Sequence, residues 1–227
     1  MLRTGSDDVT CLVVVAHPDD ESIWMGGTIL RHPDWEWHVL ALCRAGDPNR
    51  EARFHRAAEE LGAHSHISDL DDSPVLVPLS SGLTEIKQRI RGLPSKEFDL
   101  IFTHGPAGEY TYHARHVETH RAVREMIEAG ELHGTLVLFA YHDFGGTARP
   151  RPAEQADITI GLTGEELACK QRILRDIYDF RPGSFEYDSA GPVEAFNVPD
   201  RDRLAYVVAG LRPGLAATES RHYGSRE

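Results

Sequence analysis

The sequence of 227 residues contains few cysteines, and none of them forms a pair typical of a metal or disulfide site. Cys11, Cys43 and Cys169 are far apart and odd in number, and the first two lie in apolar runs, where a free cysteine behaves as a small buried hydrophobic residue. Without a CxxC pair, we predict neither a thiolate zinc site nor a disulfide framework. We therefore expect the protein in a reducing compartment, the cytoplasm.

Long hydrophobic runs and clusters of positive charge are also missing. The first apolar run has about half a dozen residues, which is too short for a signal-peptide core or a membrane span. Lysine and arginine number 24 against 36 acidic residues, giving a formal charge of −12, and no long basic run is present. Nucleic acids and anionic membranes require clustered positive charge, so we expect neither as a partner.

The sequence has no internal repeat and no low-complexity tract, and its composition is that of a globular protein. Hydrophobic residues make up 41% and charged residues 26%, which is enough apolar surface for a core. The length favours a single domain over residues 1–227.

Short apolar runs alternate with helical stretches, a pattern that predicts βαβ units and an α/β fold with a mostly parallel sheet. We predict strands near residues 11–16, 37–43, 64–67, 98–103 and 135–140, and helices near 21–31, 51–62, 83–93, 113–130 and 165–180. Two segments rich in glycine and proline, near 142–156 and 181–199, lack periodicity and are predicted to form long loops over one end of the sheet.

The first chemically informative segment is VVVAHPDDE, residues 13–21. A buried strand ends here, and ligands of parallel α/β sheets bind at the carboxyl ends of the strands. His17, Asp19 and Asp20 provide one imidazole and two carboxylates, a combination that suits a divalent metal such as zinc. Alternatively, the two aspartates cap the following helix, since acidic residues favour a helix N-terminus. The histidine at the strand end favours the metal interpretation.

A second segment, THGPAGEYTYHARHVETH at residues 103–120, also follows a predicted buried strand. His113, His116 and His120 are spaced i, i+3 and i+7, so they project from one face of a helix. His120 continues into an apolar stripe and is interpreted as a packed or supporting residue. His113 and His116 lie in the first turn, closest to the sheet. Three protein ligands plus a water are typical of a catalytic metal site.

AHPDDE followed by MGGT (residues 16–28), together with GEY and HxxH (residues 108–116), resembles the PIG-L/LmbE-like family of N-acetylglucosaminyl deacetylases. The order and spacing of the predicted elements agree with this family over most of the chain. The resemblance implies a Rossmann-like three-layer α/β sandwich, with its active site at the carboxyl ends of the strands. It also implies a zinc ion or another divalent metal, a small amino-sugar or amide substrate, and hydrolysis of an N-acetyl group. A homo-oligomer is compatible with the family.

Carried over residue by residue, the resemblance makes His17, Asp20 and His116 metal ligands. It makes Asp19 the general base and His113 a group that helps to stabilise the tetrahedral intermediate, and either of these two would return a proton to the leaving amine. Glu21 would orient its neighbours or cap the helix.

Three candidate substrate contacts follow from the same resemblance. Arg50 enters the second predicted helix, and either Tyr110 or Tyr112 would face the site, because one extra residue separates GEY from HxxH. Two positions depart from the family. Arg115 stands where an aspartate often precedes the last histidine, and Arg53 stands where a glutamate often follows the arginine by three residues.

Other functions are compatible with parts of the sequence. The same site would allow an amidase that acts on another small-molecule conjugate, because loops rather than the catalytic core select the substrate. A non-enzymatic Rossmann-like nucleotide binder would use Gly26 and Gly27, but these lie in a predicted helix and lack the GxGxxG spacing. A phosphate-receiver domain also has paired acids after its first strand, but it has no use for His17 and His116. Metal analysis of the purified protein distinguishes these alternatives.

Overall fold

The structure, a computed structural model, describes residues 9–72, 79–110, 113–142 and 149–211. Its strands are β1 (Thr10–Val15), β2 (Glu36–Cys43), β3 (Ala63–Leu70), β4 (Glu97–Thr103), β5 (His133–Phe139), β6 (Tyr141–His142), β7 (Arg151–Pro152), β8 (Ile158–Gly161) and β9 (Val193–Asn197). Seven of them form one sheet in the order β3-β2-β1-β4-β5-β9-β8. The strands from β3 to β5 are parallel, whereas β9 and β8 are antiparallel to their neighbours. The prediction of a mostly parallel sheet is therefore confirmed.

Helices cover both faces of this sheet. They are α1 (Asp20–Arg31), α2 (Pro48–Leu61), α3 (Leu79–Arg91), α4 (Ala114–Glu128), α5 (Gly164–Arg172), α6 (Phe185–Ser189) and α7 (Arg201–Leu211), and a π-helical turn (Ile173–Ile177) continues α5. Successive side chains of β1 point to opposite faces, so Val13 packs with α1 and α2 while Leu12 and Val14 pack with α3 and α4. The result is the three-layer sandwich that was predicted.

Local sequence explains where several helices begin and end. The Asp47 side chain accepts the backbone N–H groups of Asn49 and Arg50, which caps α2. The same helix stops at Gly62, which adopts a left-handed φ of 72° that glycine tolerates without strain. Thr163 and Glu166 form the reciprocal capping box of α5 that their spacing predicts.

The prediction of two long loops is partly wrong. The first segment contributes β7, which pairs with β6, and residues 143–148 lie outside the described part of the chain. The second segment contains α6 and β9, and β9 pairs with β5 and β8 inside the main sheet. These strands are short and flanked by glycine and proline, so no periodic signal marks them. The predicted helix at 165–180 changes to π-helical geometry from Ile173.

Two of the cysteines lie in the hydrophobic core, as their apolar runs predict. Cys11, Cys43 and Cys169 are all free, and the first two are buried. Burial raises the pKa of Cys43 to about 12, so its thiol stays protonated and behaves as a small hydrophobic group. Among the described residues, no helix combines the length and apolar character needed to cross a membrane.

Candidate active site

The two informative segments meet at one edge of the sheet. β1 and β4 are adjacent and parallel, with Val14 paired to Thr103, so their carboxyl ends lie side by side. The HPDDE segment follows β1 and leads directly into α1, while the second segment follows β4 and leads into α4. The topology therefore brings together side chains that are about a hundred residues apart in sequence, as the resemblance implied.

The three predicted metal ligands converge at this edge. The Oδ2 atom of Asp20 lies 3.4 Å from Nδ1 of His17 and 3.6 Å from Nε2 of His116. Ligand atoms bound to one tetrahedral zinc ion are about 3.4 Å from each other, because each bond is about 2.1 Å long. Two imidazoles and one carboxylate at these separations fit a borderline divalent ion. Asp20 thus lies at ligand distance from both imidazoles, while the groups whose three ligand atoms all lie within 4.8 Å of one another are His17, His113 and His116, and Asp20, His104 and His116.

Carboxylates behind the two histidines determine which ring nitrogen faces Asp20. The Nδ1 atom of His116 donates to Oε2 of Glu109 over 2.6 Å, which leaves Nε2 directed at Asp20. Nε2 of His17 lies 2.9 Å from Oδ1 of Asp72, which leaves Nδ1 on the Asp20 side. Arg44 donates to the other oxygen of Asp72 over 2.6 Å. Such outer carboxylates commonly orient histidine ligands and increase their basicity.

The electrostatics of this cluster favour positive charge. Burial opposes protonation of His17, but its hydrogen bonds to Asp20 and Asp72 raise its pKa to about 10. Burial would raise the pKa of Glu109, yet His104 and His116 lower it to about 2. At His17 and His116 the buried carboxylates thus outweigh desolvation, and a bound cation would satisfy the same excess of negative charge.

His104 follows β4 without a sequence signal of its own, and its ring stacks on that of His116 with centroids 3.9 Å apart. Its Nε2 atom lies 3.6 Å from Oδ2 of Asp20, but it already accepts the backbone N–H of Ala16 over 3.0 Å. Its Nδ1 atom donates to Glu109. Each ring nitrogen of His104 therefore has a hydrogen-bond partner, and we interpret His104 as a residue that supports His116 by stacking on its ring. His120 is buried and bonds to the carbonyl of His104 over 2.9 Å, which agrees with its interpretation as a supporting residue.

Asp19 occupies the N-cap position of α1, but its side chain makes no capping hydrogen bond, so the capping alternative is not observed. Its backbone has a φ of 125°, a value that costs a residue other than glycine about 1–3 kcal/mol and that is concentrated at functional sites. Glu21 accepts the Asp19 N–H over 3.0 Å, and Arg50 donates to its carboxylate over 3.3 Å. Burial and the adjacent Asp20 raise the pKa of Asp19.

Glu21 is completely buried and supports this backbone conformation. Its carboxylate accepts the Asp19 N–H, the Ser22 hydroxyl and the Tyr178 hydroxyl, the last over 2.8 Å. The role expected for Glu21, orienting its neighbours, fits these contacts. Tyr178 lies far away in sequence, beyond α5, so nothing local predicted it.

His113 lies beside the ligands, with its ring centroid 4.9 Å from that of His17 and 4.5 Å from that of His116. Its Nδ1 atom is buried and has no hydrogen-bond partner among the described residues. Burial, followed by the neighbouring His116 and His17, lowers its pKa to about 4, so the ring is uncharged at neutral pH. Arg115 bonds to Glu118 and supplies no carboxylate to His113.

Two of the three candidate substrate contacts lie at the site. Arg50 is next to Asp19 and also stands over the Phe180 ring, with 5.6 Å between the guanidinium carbon and the ring centroid. The Tyr110 ring meets His116 edge-on at 6.1 Å and packs on Phe185 at 4.6 Å. Tyr112 lies outside the described residues.

The sequence of residues 12–127, just over half of the chain, matches the family of GlcNAc-PI de-N-acetylases (PIG-L). The chain belongs to the PIG-L family. The matched span runs from β1 into α4 and includes every candidate metal ligand and Asp19, Arg50 and His113. A comparison with curated protein sequences finds none that matches this PIG-L member.

Solved structures of several enzymes share this fold with the PIG-L member. An N,N'-diacetylchitobiose deacetylase from Pyrococcus horikoshii is 16% identical, with a TM-score of 0.61 over 86% of this chain and 89% of its own. The zinc-inhibited form of the teicoplanin deacetylase Orf2 is 11% identical, with a TM-score of 0.61 over 85% and 100%. GalB, a 4-carboxy-2-hydroxymuconate hydratase from Pseudomonas putida, is 16% identical, with a TM-score of 0.53 over 84% and 96%. At these identities the likeness shows the fold of the PIG-L member and not its substrate.

Proposed function

We propose that the protein is a zinc-dependent amide hydrolase that removes the N-acetyl group from an N-acetylglucosamine-type amino sugar or conjugate. The observation that carries the proposal is the convergence of His17, Asp20 and His116 beside Asp19, whose carboxylate is not used to cap the helix. Membership of the PIG-L family and the deacetylases among the similar structures support the reaction class.

His17, Asp20 and His116 would hold the metal. When bound at such a site, a zinc-type ion polarises the substrate carbonyl and brings the pKa of water from 15.7 towards about 7. The outer carboxylates of Glu109 and Asp72 keep each imidazole in the tautomer that presents its free nitrogen to the centre.

Asp19 is the general base in this proposal. Its carboxylate stands next to a ligand, and burial raises its pKa, which brings the group closer to the working pH and makes it a better proton acceptor. Arg50, at 3.3 Å, keeps the carboxylate oriented and favours its ionised form. Asp19 takes the proton of the attacking water at one carboxylate oxygen.

His113 stabilises the oxyanion of the tetrahedral intermediate as a neutral hydrogen-bond donor. The ring packs against both His17 and His116, and its lowered pKa means that one nitrogen carries a proton and the other does not. Removing one donor of this kind typically costs about 10²–10³ in rate. Asp19, which holds the proton taken from water, returns it to the leaving amine, because a neutral His113 has no acidic proton to give.

Arg50, Tyr110 and Tyr112 are the proposed substrate contacts. Phe185 packs beside Tyr110 and is 37% exposed, so the two side chains form an aromatic rim next to His116. This aromatic rim favours a conjugate with an apolar group next to the amide as a second candidate substrate. A nucleotide-binding role has no support, because Gly27 lies inside α1 and donates its N–H to Glu194 over 2.8 Å.

The test compares two neighbouring aspartates by acetate release and metal content. We expect zinc-loaded wild-type protein to release acetate from N-acetylglucosamine conjugates. Asp19→Asn should keep its metal and lose about 10²–10⁴ in kcat, because an amide cannot accept the proton of water. Asp20→Asn should lose metal first, since a neutral amide is a poorer ligand for a cation.

Two results would contradict the proposal. One is a wild-type protein that contains metal but releases no acetate from any conjugate tested. The other is an Asp19→Asn variant with a rate close to that of the wild type, which would place the base elsewhere and make Glu21 the next residue to test.

A further inference from the structure

A second group of metal-ligating side chains lies on β2 and β3, away from the active site. Glu36 and His38 are two residues apart on β2, and His64 and His66 are two residues apart on β3, so each pair shares one face of its strand. We call these four residues the histidine patch. They lie towards the amino ends of their strands, whereas the candidate active site lies beyond the carboxyl ends of β1 and β4.

The strand register brings the two pairs together. His38 of β2 is paired with His64 of β3, and their rings stack with centroids 4.9 Å apart. The His66 ring lies 5.7 Å from the His38 ring on the same face. One ligand atom from each of Glu36, His38 and His64 lies within 4.8 Å of the others, so a single ion could contact all three after small side-chain rotations.

His38 is the centre of the patch, and its two ring nitrogens have different partners. Nε2 lies 3.1 Å from Oε1 of Glu36, and Nδ1 lies 3.4 Å from Nε2 of His66. A histidine that binds a metal through one nitrogen usually donates the N–H of the other nitrogen to a neighbour. His66 is placed to accept that hydrogen bond, while Nε2 of His38 faces Glu36.

The histidine patch combines solvent-exposed side chains with a central imidazole that is largely buried. The Glu36 side chain is 47% exposed and His64 is exposed, but the His38 side chain is only 16% exposed. An ion can therefore reach the patch directly from water, and the central ligand is already held in position. This limits the conformational entropy that binding would cost.

We propose that the histidine patch binds one divalent transition-metal ion of the zinc type through Glu36, His38 and His64, with His66 holding the His38 ring. Imidazole is a preferred ligand of zinc, copper and nickel, whereas calcium and magnesium prefer oxygen ligands. Near neutral pH most histidines are uncharged and available as ligands. The ion would link β3, the edge strand of the sheet, to β2, its neighbour.

Zinc stoichiometry and affinity, measured on the full chain without an affinity tag, test this proposal. We expect about two zinc ions on the wild-type chain, one for the patch and one for the candidate active site. His64→Asn should retain the active-site ion and acetate release but weaken zinc binding at the patch by at least about tenfold. Asp20→Asn should do the reverse and keep the patch ion.

His133→Asn is the matched control, because His133 is an exposed histidine next to a carboxylate, Glu97, at 3.6 Å, but lies outside the patch. It should bind zinc as the wild type does. Cobalt(II) absorption provides a second readout, since the band of the patch ion should vanish in His64→Asn and persist in Asp20→Asn. If His64→Asn is poorly folded by circular dichroism, Glu36→Gln replaces it.

Unchanged zinc binding in a folded His64→Asn protein would overturn the proposal, as would an equal loss in His133→Asn. The result also separates this site from the proposed function. A single ion that is lost in His64→Asn but kept in Asp20→Asn would support the patch and contradict the metal site of the hydrolase. A single ion with the opposite behaviour would overturn the patch alone.

Discussion

The carboxylate of Glu109 receives hydrogen bonds from two imidazoles and one backbone amide. His104 donates over 3.0 Å, His116 over 2.6 Å and the Gly105 N–H over 2.9 Å. The residue is completely buried, so these three donors supply the polar contacts that its charge requires. Glu109 thereby links the strand end of β4 to the first turn of α4 and fixes the position of His116.

At the residue scale, we therefore expect Glu109→Gln to weaken metal binding while leaving all three ligands in place. Both imidazoles donate to Oε2 and the Gly105 N–H donates to Oε1, so a glutamine in either orientation turns its NH2 group towards at least one of these donors and positions His116 less firmly. The expected loss is about 10- to 100-fold in metal affinity. Competition with a fluorescent zinc chelator measures it.

Glu118→Gln is the control for this change. Glu118 is a buried acidic residue on the same helix, but its partner is Arg115 rather than a ligand. If both variants lose metal affinity equally, the effect comes from general disturbance of α4 and the positioning role of Glu109 is wrong.

Residues that are contiguous in sequence were the ones that sequence analysis could identify. His17, Asp19 and Asp20 follow one predicted strand, so their proximity needed no knowledge of tertiary structure. Asp72 approaches His17 from 55 residues away, after β3, and no local pattern marks it. Glu109 lies within the GEY motif, but its role depends on the reversal of the chain between β4 and α4.

At the element scale, α1 depends on close packing near its middle. The Gly27 and Thr28 N–H groups donate to the Glu194 carboxylate over 2.8 and 2.7 Å, and Lys170 donates to the same carboxylate over 2.7 Å. A Cβ atom on Gly27 would lie 2.4 Å from Cδ2 of Leu162. The helix therefore approaches its neighbours more closely than a side chain would allow.

This packing predicts that substituting alanine for each of two adjacent glycines changes the free energy of unfolding in opposite directions. Gly27→Ala should lower the free energy of unfolding by about 1–3 kcal/mol, because the methyl group overpacks against Leu162. Gly26→Ala should raise it by about 0.5–1 kcal/mol, since its nearest contact, Lys170 Cγ at 3.6 Å, is ordinary and alanine favours the helix. Urea denaturation measures both.

The double variant Gly27→Ala with Leu162→Ala is the control for steric overlap. In a Leu162→Ala background, Gly27→Ala should lower the free energy of unfolding by less than it does in the wild-type protein. Equal effects of alanine at Gly26 and Gly27 would show that the close approach to Leu162 does not limit the packing of α1.

On the scale of the whole molecule, the candidate metal site exists only in the folded chain. His17 and Asp20 follow β1, His116 lies on α4, and the supporting Asp72 follows β3. An ion that binds the folded state and not the unfolded chain stabilises the fold by mass action. Metal removal should therefore change global stability and not only activity.

We expect a chelator such as EDTA to lower the thermal midpoint of the zinc-loaded protein. Zinc at 100 times its dissociation constant adds about 2.7 kcal/mol to the free energy of unfolding. The measurement is best made on His64→Asn, so that the histidine patch does not contribute. If Asp20→Asn in the same background responds equally to the chelator, the stabilising ion is not at the candidate active site.

The parallel half of the fold was predictable, whereas the antiparallel half was not. β1, β2, β4 and β5 are strongly apolar strands buried in the sheet, so continuous hydrophobic runs indicate them. β8 and β9 have only 4 and 5 residues, and their pairing joins segments on either side of α5. Such strands form because the existing sheet edge offers unpaired backbone groups, which is a tertiary and not a local cause.

The backbone of Asp19 also matters to anyone who would engineer this protein. Glycine is the residue that adopts a φ of 125° without steric conflict, so replacing Asp19 with glycine relieves a local cost. A directed-evolution screen that rewards heat resistance alone would favour that replacement and remove the carboxylate beside the candidate metal ligands. Selection for thermal stability favours glycine at position 19, whereas selection for turnover favours aspartate. A useful screen therefore has to select for both properties at once.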